Sequence, residues 1–253
     1  MSNIVSVHSF RGGTGKSNVT ANLATTIASQ GRRVGIVDTD IQSPGIHVLF
    51  GLDEEKMGRS LNDYLWGRCP IEETAHDVGS ALKGADLGGG AVYLVPSSIK
   101  AGEIARVLRE GYDVGLLTDG LHSLVRDLDL DLLLIDTHPG LNEETLLSIT
   151  ISDVLLLILR PDRQDYQGTA VTVEVARKLD VPRLLLLINK ALPAFDFNAL
   201  RQQAEQTYRA EVAGILPLDE DLVRLASSDV FCLRHPEHPW TQEIGRVAEQ
   251  VTG

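Results

Sequence analysis

The sequence predicts a doubly wound α/β fold, in which a mostly parallel β-sheet carries helices on both faces. Short aliphatic runs alternate along the chain with longer stretches of helical pattern. Two of the runs, Leu132–Ile135 and Leu184–Ile188, are apolar at every position, which indicates strands that are buried on both faces. The chain has 253 residues, a length common for one α/β domain, and we expect residues 1–253 to form a single domain.

The individual elements follow in order from this alternation. Aliphatic runs predict strands at Ile4–His8, Arg33–Asp38, Val92–Val95, Leu132–Asp136, Val154–Leu159, Leu184–Asn189 and Val212–Leu216. The longer stretches predict helices at Ser17–Ser29, Glu103–Glu110, Asn142–Ser152, Asp165–Leu179, Asn198–Thr207 and Thr241–Val251. We expect Asp165 to be the N-cap of its helix. The segment 51–91 contains acidic turns and the triplet Gly88–Gly90, which we interpret as a flexible connection.

The composition excludes several classes of protein. Hydrophobic residues make up 43% and charged residues 23% of the chain, as in globular rather than disordered proteins. No apolar run approaches the ~20 residues of a membrane-spanning helix, and the N-terminus lacks the pattern of a signal peptide. Cys69 and Cys232 are too few for a disulfide framework or a four-thiolate metal site. We therefore expect a reduced, cytoplasmic setting.

A glycine-rich loop follows the first predicted strand and leads into the first predicted helix. It has the sequence Ser-Phe-Arg-Gly-Gly-Thr-Gly-Lys-Ser at positions 9–17. The backbone N–H groups of such a loop and the N-terminus of the following helix bind phosphate oxygens. Lys16 suits the β- and γ-phosphates of a nucleotide, and the Ser17 hydroxyl suits Mg²⁺. The predicted nucleotide-binding residues here are Gly12, Gly13, Thr14, Gly15, Lys16, Ser17 and Asn18.

Three carboxylates follow predicted strands. Asp38 and Asp40 form a D-x-D motif whose side chains point to the same side of the chain. Asp136 ends the apolar run 132–135, as in a Walker B strand, and suits Mg²⁺. At the edge of a phosphate site these carboxylates can position the metal and an attacking water. An alternative is that Asp38 or Asp40 caps the turn that follows.

The loop resembles the deviant phosphate loop of the ParA/MinD ATPases. Phe10 stands where the general phosphate loop has its first glycine, and a Gly-Gly pair follows the basic residue Arg11. The D-x-D motif, the Walker B strand with its Pro-Gly turn, an Asn-Lys pair at 189–190 and the segment Gly214–Asp219 occur in the family's order. The resemblance therefore covers nearly the whole chain. The family has lysine at the position of Arg11, and arginine keeps the positive charge and adds a bidentate fork.

The resemblance implies an ATP-dependent switch with ATP and Mg²⁺ as cofactors. Two subunits would close over two ATP molecules, with Arg11 reaching the nucleotide of the partner. Asp40 would be needed for hydrolysis, and Asp38 would support the water shell of the metal beside Ser17 and Asp136. Turnover would be slow alone and faster with an activating partner protein. The cycle would position or partition a cargo.

The resemblance also implies contacts to the γ-phosphate and the base. The backbone N–H of Gly140, in the Pro-Gly turn, would sense the γ-phosphate. Asn189 would contact adenine, and the segment with Pro217 and Asp219 would close over the base by backbone contacts. The family commonly has proline at the position of His138, and we interpret this histidine as a surface switch residue and not as a catalytic base.

Several alternatives stay open on the sequence alone. An ATP-dependent ligase or synthetase of similar fold, such as the dethiobiotin and cobyric-acid enzymes, would activate a carboxylate. A third class binds nucleotide without hydrolysing it. The net charge of −12 disfavours nonspecific nucleic-acid binding, but residues 151–210 are nearly balanced and leave a DNA patch open. The last helix has an apolar stripe without a basic face, so we expect it to pack on the core and not on a membrane.

Overall fold

The strands form one sheet. The computed structural model describes residues 3–79, 82 and 87–253. The strands of this part are β1 (Asn3–His8), β2 (Arg33–Asp38), β3 (His76–Asp77), β4 (Ala91–Val95), β5 (Leu132–Asp136), β6 (Val154–Leu159), β7 (Arg183–Ala191) and β8 (Glu211–Pro217). They lie in the order β3-β4-β2-β5-β1-β6-β7-β8. Every neighbouring pair is parallel except β3–β4, which confirms the predicted mostly parallel sheet.

Helices connect these strands. They are α1 (Lys16–Ala28), α2 (Ile46–Leu49), α3 (Leu61–Leu65), a 3₁₀ helix (Ile71–Thr74), α4 (Ala101–Glu110), α5 (Val114–Asp127), α6 (Glu143–Thr150), α7 (Arg163–Lys178), α8 (Phe197–Tyr208), α9 (Glu220–Leu225), α10 (Phe231–Arg234) and α11 (Pro239–Thr252). Helices with the predicted positions therefore follow β1, β4, β5, β6 and β7, and the last predicted helix corresponds to α11.

The side chains of the central strands alternate between two cores, one on each face of the sheet. In β5, Leu132 and Leu134 pack beneath α1, α10 and α11. Leu133 and Ile135 of the same strand pack against α3 and α5. The strands β6 and β7 alternate in the same way, with a third cluster beneath α7 and α8. Helices thus cover both faces, which explains why these strands are apolar at every position and confirms the doubly wound fold.

The last helix belongs to the core, as its apolar stripe predicts. α11 packs against α1 and β8. Its buried residues include the four of the stripe, Trp240, Ile244, Val247 and Val251. In the part of the chain that the structure describes, no helix has the length and apolarity needed to cross a membrane.

The segment 51–79 and helix α5 differ most from the prediction. The sequence patterns predict no helix at 114–127, a segment in which Gly115 and Gly120 lower helix propensity. Nevertheless α5 forms, with Asp113 as N-cap. The reason is tertiary packing, since Gly120 allows Tyr64 and Ile71 to lie directly against α5. In the segment 51–79, for which the sequence predicts no helix or strand, α3, the 3₁₀ helix and β3 form.

The N-cap predicted for α7 is wrong by three residues. Asp162 is the N-cap, and its Oδ1 accepts hydrogen bonds from the N–H groups of Gln164 at 3.1 Å and Asp165 at 3.0 Å. Asp165 lies inside the first turn, where it is buried and bound by Arg160 at 2.9 Å. The ion pair with Arg160 therefore determines where the Asp165 side chain lies, and Asp165 does not cap the helix.

The glycine triplet 88–90 forms a turn whose last glycine is packed against neighbouring backbone. The N–H of Gly90 donates to the carbonyl oxygen of Leu87 at 2.7 Å. A Cβ added at Gly90 would overlap the backbone carbonyl oxygens of Ala28 and Arg32. Close approach to the end of α1 and the start of β2 therefore requires glycine at this position.

Alanine substitutions at two helical glycines distinguish the effect of packing on stability from the effect of helix propensity. Gly245→Ala in α11 should raise the free energy of unfolding by about 0.8–1 kcal/mol, because helix propensity improves and no atom lies within 4 Å of the added Cβ. Gly120→Ala in α5 should lower it by about 1–3 kcal/mol through overpacking, since its Cβ would lie 2.6 Å from Tyr64 Cε1 and 2.7 Å from Ile71 Cδ1. Urea unfolding measures both, and equal effects of the two changes would contradict the packing of α5.

Candidate nucleotide-binding site

The phosphate loop leaves β1 and enters α1 through a left-handed turn. Gly13 has φ +77° and Gly15, the residue before α1, has φ +95°. Glycine is required at 15 for a second reason, because an added Cβ would lie 2.6 Å from Asn189 Nδ2. In the described chain no side chain caps α1, and the N–H groups of Thr14 and Gly15 have no acceptor. These donors are therefore available to an anion.

A cavity of about 560 Å³ opens above this loop. The structure brings many of the predicted site residues into its lining: Gly12, Gly13, Thr14, Gly15, Lys16, Ser17, Asn18, Asp40, Asn189, Pro217 and Asp219. Asp38 and Asp136 lie buried at the ends of their strands, and Arg11 and Gly140 lie outside the lining. Leu49, Leu222, Val223 and Trp240 add an apolar wall that the sequence does not predict.

Asp38 and Asp136 are neighbours across β2 and β5. They are register partners at the ends of these strands, and their exposed fractions are 0% and 1%. Burial raises the pKa of Asp38, and the charges of Asp136 and Asp40 add to this. Burial also raises the pKa of Asp136, while the charge of Lys16 acts in the opposite direction. The two carboxyls therefore share a site that disfavours their ionised forms unless a cation is present.

The residues at this edge fit a magnesium ion. Oδ2 of Asp38 and Oδ2 of Asp136 are buried and have no hydrogen-bond partner among the described residues. Burying such oxygens is unfavourable when nothing binds them. Carboxylate and hydroxyl oxygens are the ligands that Mg²⁺ prefers in proteins, and the Ser17 hydroxyl lies close enough to Asp136 to lower its pKa.

Asp40 contacts His138, a partner that the sequence does not predict. His138 Nδ1 lies 2.6 Å from Asp40 Oδ1. The same oxygen accepts the N–H of Ser43 at 3.2 Å, so Asp40 also caps the turn that follows it. The exposed side-chain fractions are 13% for Asp40 and 24% for His138. His138 is thus partly buried beside the carboxylate.

His8 is a second site residue that sequence reasoning missed. It is fully buried at the end of β1, and its Nδ1 lies 2.7 Å from Thr137 Oγ1. The Thr137 hydroxyl also lies 3.1 Å from the Val7 carbonyl oxygen; when it donates there, His8 donates to it through Nδ1–H. Burial, with the charges of Lys16 and His138, lowers the pKa of His8 to about 3. The only signal in the sequence is a polar residue that ends an apolar run.

The end of β7 is tied to the phosphate loop by two side chains. The amide Nδ2 of Asn189 donates to the carbonyl oxygen of Thr14 at 2.8 Å. Lys190, which has φ +57°, donates from Nζ to the carbonyl oxygen of Gly13 at 2.8 Å. Asn189 therefore holds the phosphate loop in position through this hydrogen bond, a role that the sequence does not predict. Its predicted adenine contact stays a prediction.

Arg11 and Gly140 contact their own chain. The guanidinium of Arg11 hydrogen-bonds Gln164 at the start of α7 and lies 4.0 Å from the buried Asp165. Gly140 has φ +88°, and its N–H donates to the carbonyl oxygen of Ser9 at 3.2 Å. The turn after β5 is thereby held against the phosphate loop.

Pro217 and Asp219 lie at the far side of the cavity. Pro217 ends β8, and Asp219 is the N-cap of α9 through a 2.8 Å hydrogen bond from the N–H of Asp221. His238 Nε2 lies 3.5 Å from Asp219 Oδ2. The side chain of Asp219 thus has structural partners, so the backbone of this segment is the part left for a ligand.

This fold and this loop define a P-loop nucleotide-binding protein. A family model described as the CobQ/CobB/MinD/ParA nucleotide-binding domain matches residues 5–230. The chain belongs to this family, and the resemblance to ParA/MinD proteins is confirmed.

Relatives agree with this assignment. The chain is 24% identical over 98% of its length to an uncharacterised ATP-binding protein of Methanocaldococcus jannaschii, of which it covers 87%. It is 30% identical over 74% of its length to the cytosolic Fe-S cluster assembly factor CFD1 of Chaetomium globosum, of which it covers 57%. It shares the fold of the septum site-determining protein MinD from Pyrococcus horikoshii, a complex with Mg-ADP, with TM-score 0.81, 22% identity and 99% and 96% of the two chains covered.

The buried His8 predicts acid sensitivity. Its pKa is about 3 in the folded protein against 6.5 when unfolded, so between these values only the unfolded state binds the proton. Stability is therefore lost as pH falls below 6.5, by about 2 kcal/mol between pH 7 and pH 5. His8→Asn, which keeps a donor for Thr137, should lack this part of the loss in urea unfolding. The exposed His122→Asn is the control, and equal pH dependence of His8→Asn and the unchanged protein would contradict the assignment.

Oδ2 of Asp38, which has no hydrogen-bond partner in the described chain, predicts that neutralising this carboxyl stabilises the fold. Because its folded pKa is raised, the native state holds the proton more tightly, and stability is lost as pH rises through that pKa. Asp38→Asn should therefore raise the free energy of unfolding at pH 7, without nucleotide or metal, by about 1–3 kcal/mol. The exposed Asp119→Asn should change little. Urea unfolding in chelator measures both, and a less stable Asp38→Asn would argue against the site.

Proposed function

We propose that this protein is an ATPase that dimerises when ATP is bound and so acts as a molecular switch for a cargo. The observation that carries the proposal is the clustering of Asp38, Asp40 and Asp136 beside the uncapped N-terminus of α1. The family is an ATP-binding one, and hydrolysis, the switch and its partner are the parts that we propose.

The phosphate loop binds the triphosphate. Its free N–H groups and the positive end of α1 bind phosphate oxygens, and Lys16 neutralises their charge. Ser17, Asp38 and Asp136 would hold Mg²⁺, which when bound stabilises negative charge on the phosphate oxygens. Asn189 and Lys190 keep the loop in position through its carbonyl groups.

Asp40 positions the water for hydrolysis. It lines the cavity and is the least buried of the three carboxylates. Its Oδ1 is bonded to Ser43 and His138, and within the described chain its Oδ2 accepts no hydrogen bond. That oxygen is suited to orient a water toward the terminal phosphate.

Arg11 supplies a positive charge to the partner's nucleotide. Its side chain is 40% exposed and is held only at the surface of α7 by Gln164 and Asp165. The approach to Asp165 is long, at 4.0 Å, and Asp165 has a nearer cation in Arg160 at 2.9 Å, so Arg11 can exchange these contacts for contacts to phosphate oxygens. Arginine in this position would stabilise the charge of the transition state.

An iron–sulfur role, as in the name of the Chaetomium relative, is not what we propose. Cys232 lies in α10 in the core beneath α1. Cys69 follows α3, which packs on the other face of the sheet. The two thiols of one chain thus sit on opposite faces and do not form a shared site.

The solution mass of Asp40→Ala tests the switch. Loss of hydrolysis should trap the ATP-bound state, so we expect a dimer with Mg·ATP and a monomer with Mg·ADP or without nucleotide. Adding Arg11→Ala should weaken this dimer, whereas the exposed Arg163→Ala near the same helix end should not. Phosphate release by the unchanged protein is measured in parallel.

Three results would overturn the proposal. Asp40→Ala that stays monomeric at saturating ATP would remove the dimeric switch. Turnover that depends on a small molecule with a carboxylate would favour the ligase alternative, and ATP binding without any phosphate release would favour a passive binder.

A further inference from the structure

A side-chain contact joins the two loops that leave β2 and β5. The strands are in register at Asp38 and Asp136. The pairing continues for one more residue, because the N–H of Thr39 donates to the Asp136 carbonyl at 3.0 Å. The next side chains to meet are Asp40 and His138, with Oδ1 and Nδ1 2.6 Å apart. The register of β2 and β5 therefore determines which two side chains meet here.

The contact leaves one face of the carboxylate free. Since a carboxylate only accepts hydrogen bonds, His138 donates through Nδ1–H. Oδ1 of Asp40 also accepts the N–H of Ser43, so this oxygen is held from two directions. Asp40 lines the cavity and His138 does not. His138 therefore lies behind Asp40 as seen from the cavity, and its hydrogen bond to Asp40 links it to the cavity lining.

Helix α6 fixes the position of His138. The hydroxyl of Thr145 donates to the carbonyl oxygen of His138 at 3.2 Å. The N–H of Thr145 donates in turn to Oδ1 of Asn142, the N-cap of α6, at 2.8 Å. Thr145 is 1% exposed. The imidazole is thus carried by a backbone that is anchored in the core, which is what a positioning group needs.

We propose that His138 is a positioning residue for ATP hydrolysis. Its Nδ1–H holds Oδ1 of Asp40 so that Oδ2 faces the attacking water. This inference rests on the proposed function, in which Asp40 positions that water. A carboxylate without this hydrogen bond would sample other rotamers, and a misplacement of about 1 Å can lower a rate by about 100-fold.

Three substitutions of His138 test the role. His138→Ala removes the donor, His138→Asn keeps a donor at the position of Nδ1, and His138→Gln moves it one bond further, toward the position of Nε2. We expect kcat for ATP hydrolysis to fall about 10- to 100-fold in the Ala variant with KM nearly unchanged. The Asn variant should recover most of kcat and the Gln variant less. His122→Ala, an exposed histidine in α5, is the matched control.

Measurements in the Asp40→Ala background distinguish a positioning role of His138 from misfolding of the His138→Ala variant. Because His138 acts through Asp40, His138→Ala should lower the residual single-turnover rate of phosphate release no further when Asp40→Ala is already present. The inference is overturned by an Asn variant as impaired as the Ala variant, by a rise in KM at constant kcat, or by equal losses in both backgrounds. A wild-type kcat in His138→Ala would rule out the positioning role of His138 and leave the proposed function standing. No phosphate release by the unchanged protein overturns the proposed function itself.

Discussion

The register of β1, β5 and β2 is the constraint on which the candidate site depends. Asp136 pairs with Val7 on one side and with Asp38 on the other. This brings the phosphate loop and both carboxylates to one edge of the sheet, at the carboxyl ends of parallel strands, where ligands bind in such folds. A slip by one residue would turn each carboxylate to the opposite face. The apolar residues of these strands fill both cores and so fix the register.

The same register buries ionisable groups at the edge of the sheet. Lys16, Asp38 and Asp136 are at most 8% exposed, and the unpartnered carboxylate oxygens oppose folding. The apolar cores on the two faces of the sheet offset this cost. A site that is unfavourable on its own and favourable with a bound cation couples ligand binding to stability. Binding of a cation at this edge of the sheet should therefore stabilise the folded protein.

The residues of the site could be predicted wherever local chemistry decides the residue type. Glycine at 13 and 15, Lys16 and the acids at strand ends follow from what phosphate and a cation require. The contacts between distant segments could not be predicted, because Asn189 meets Thr14, and His138 meets Asp40, only after register and loop paths are set. Helix α5 was missed for a similar reason, since its glycine is favoured by packing against Tyr64 and not by helix propensity.

The end of β7 also decides which way the phosphate loop faces. The peptide bonds that follow Gly13 and Thr14 are trans, so the carbonyl and N–H groups of each point in opposite directions. Lys190 and Asn189 bind these two carbonyls from the side of β7. The N–H groups of Thr14 and Gly15 must then point away from that strand, as donors without an acceptor in the described chain. Two side chains on β7 thus orient the backbone donors that an anion would meet, although neither needs to touch the anion itself.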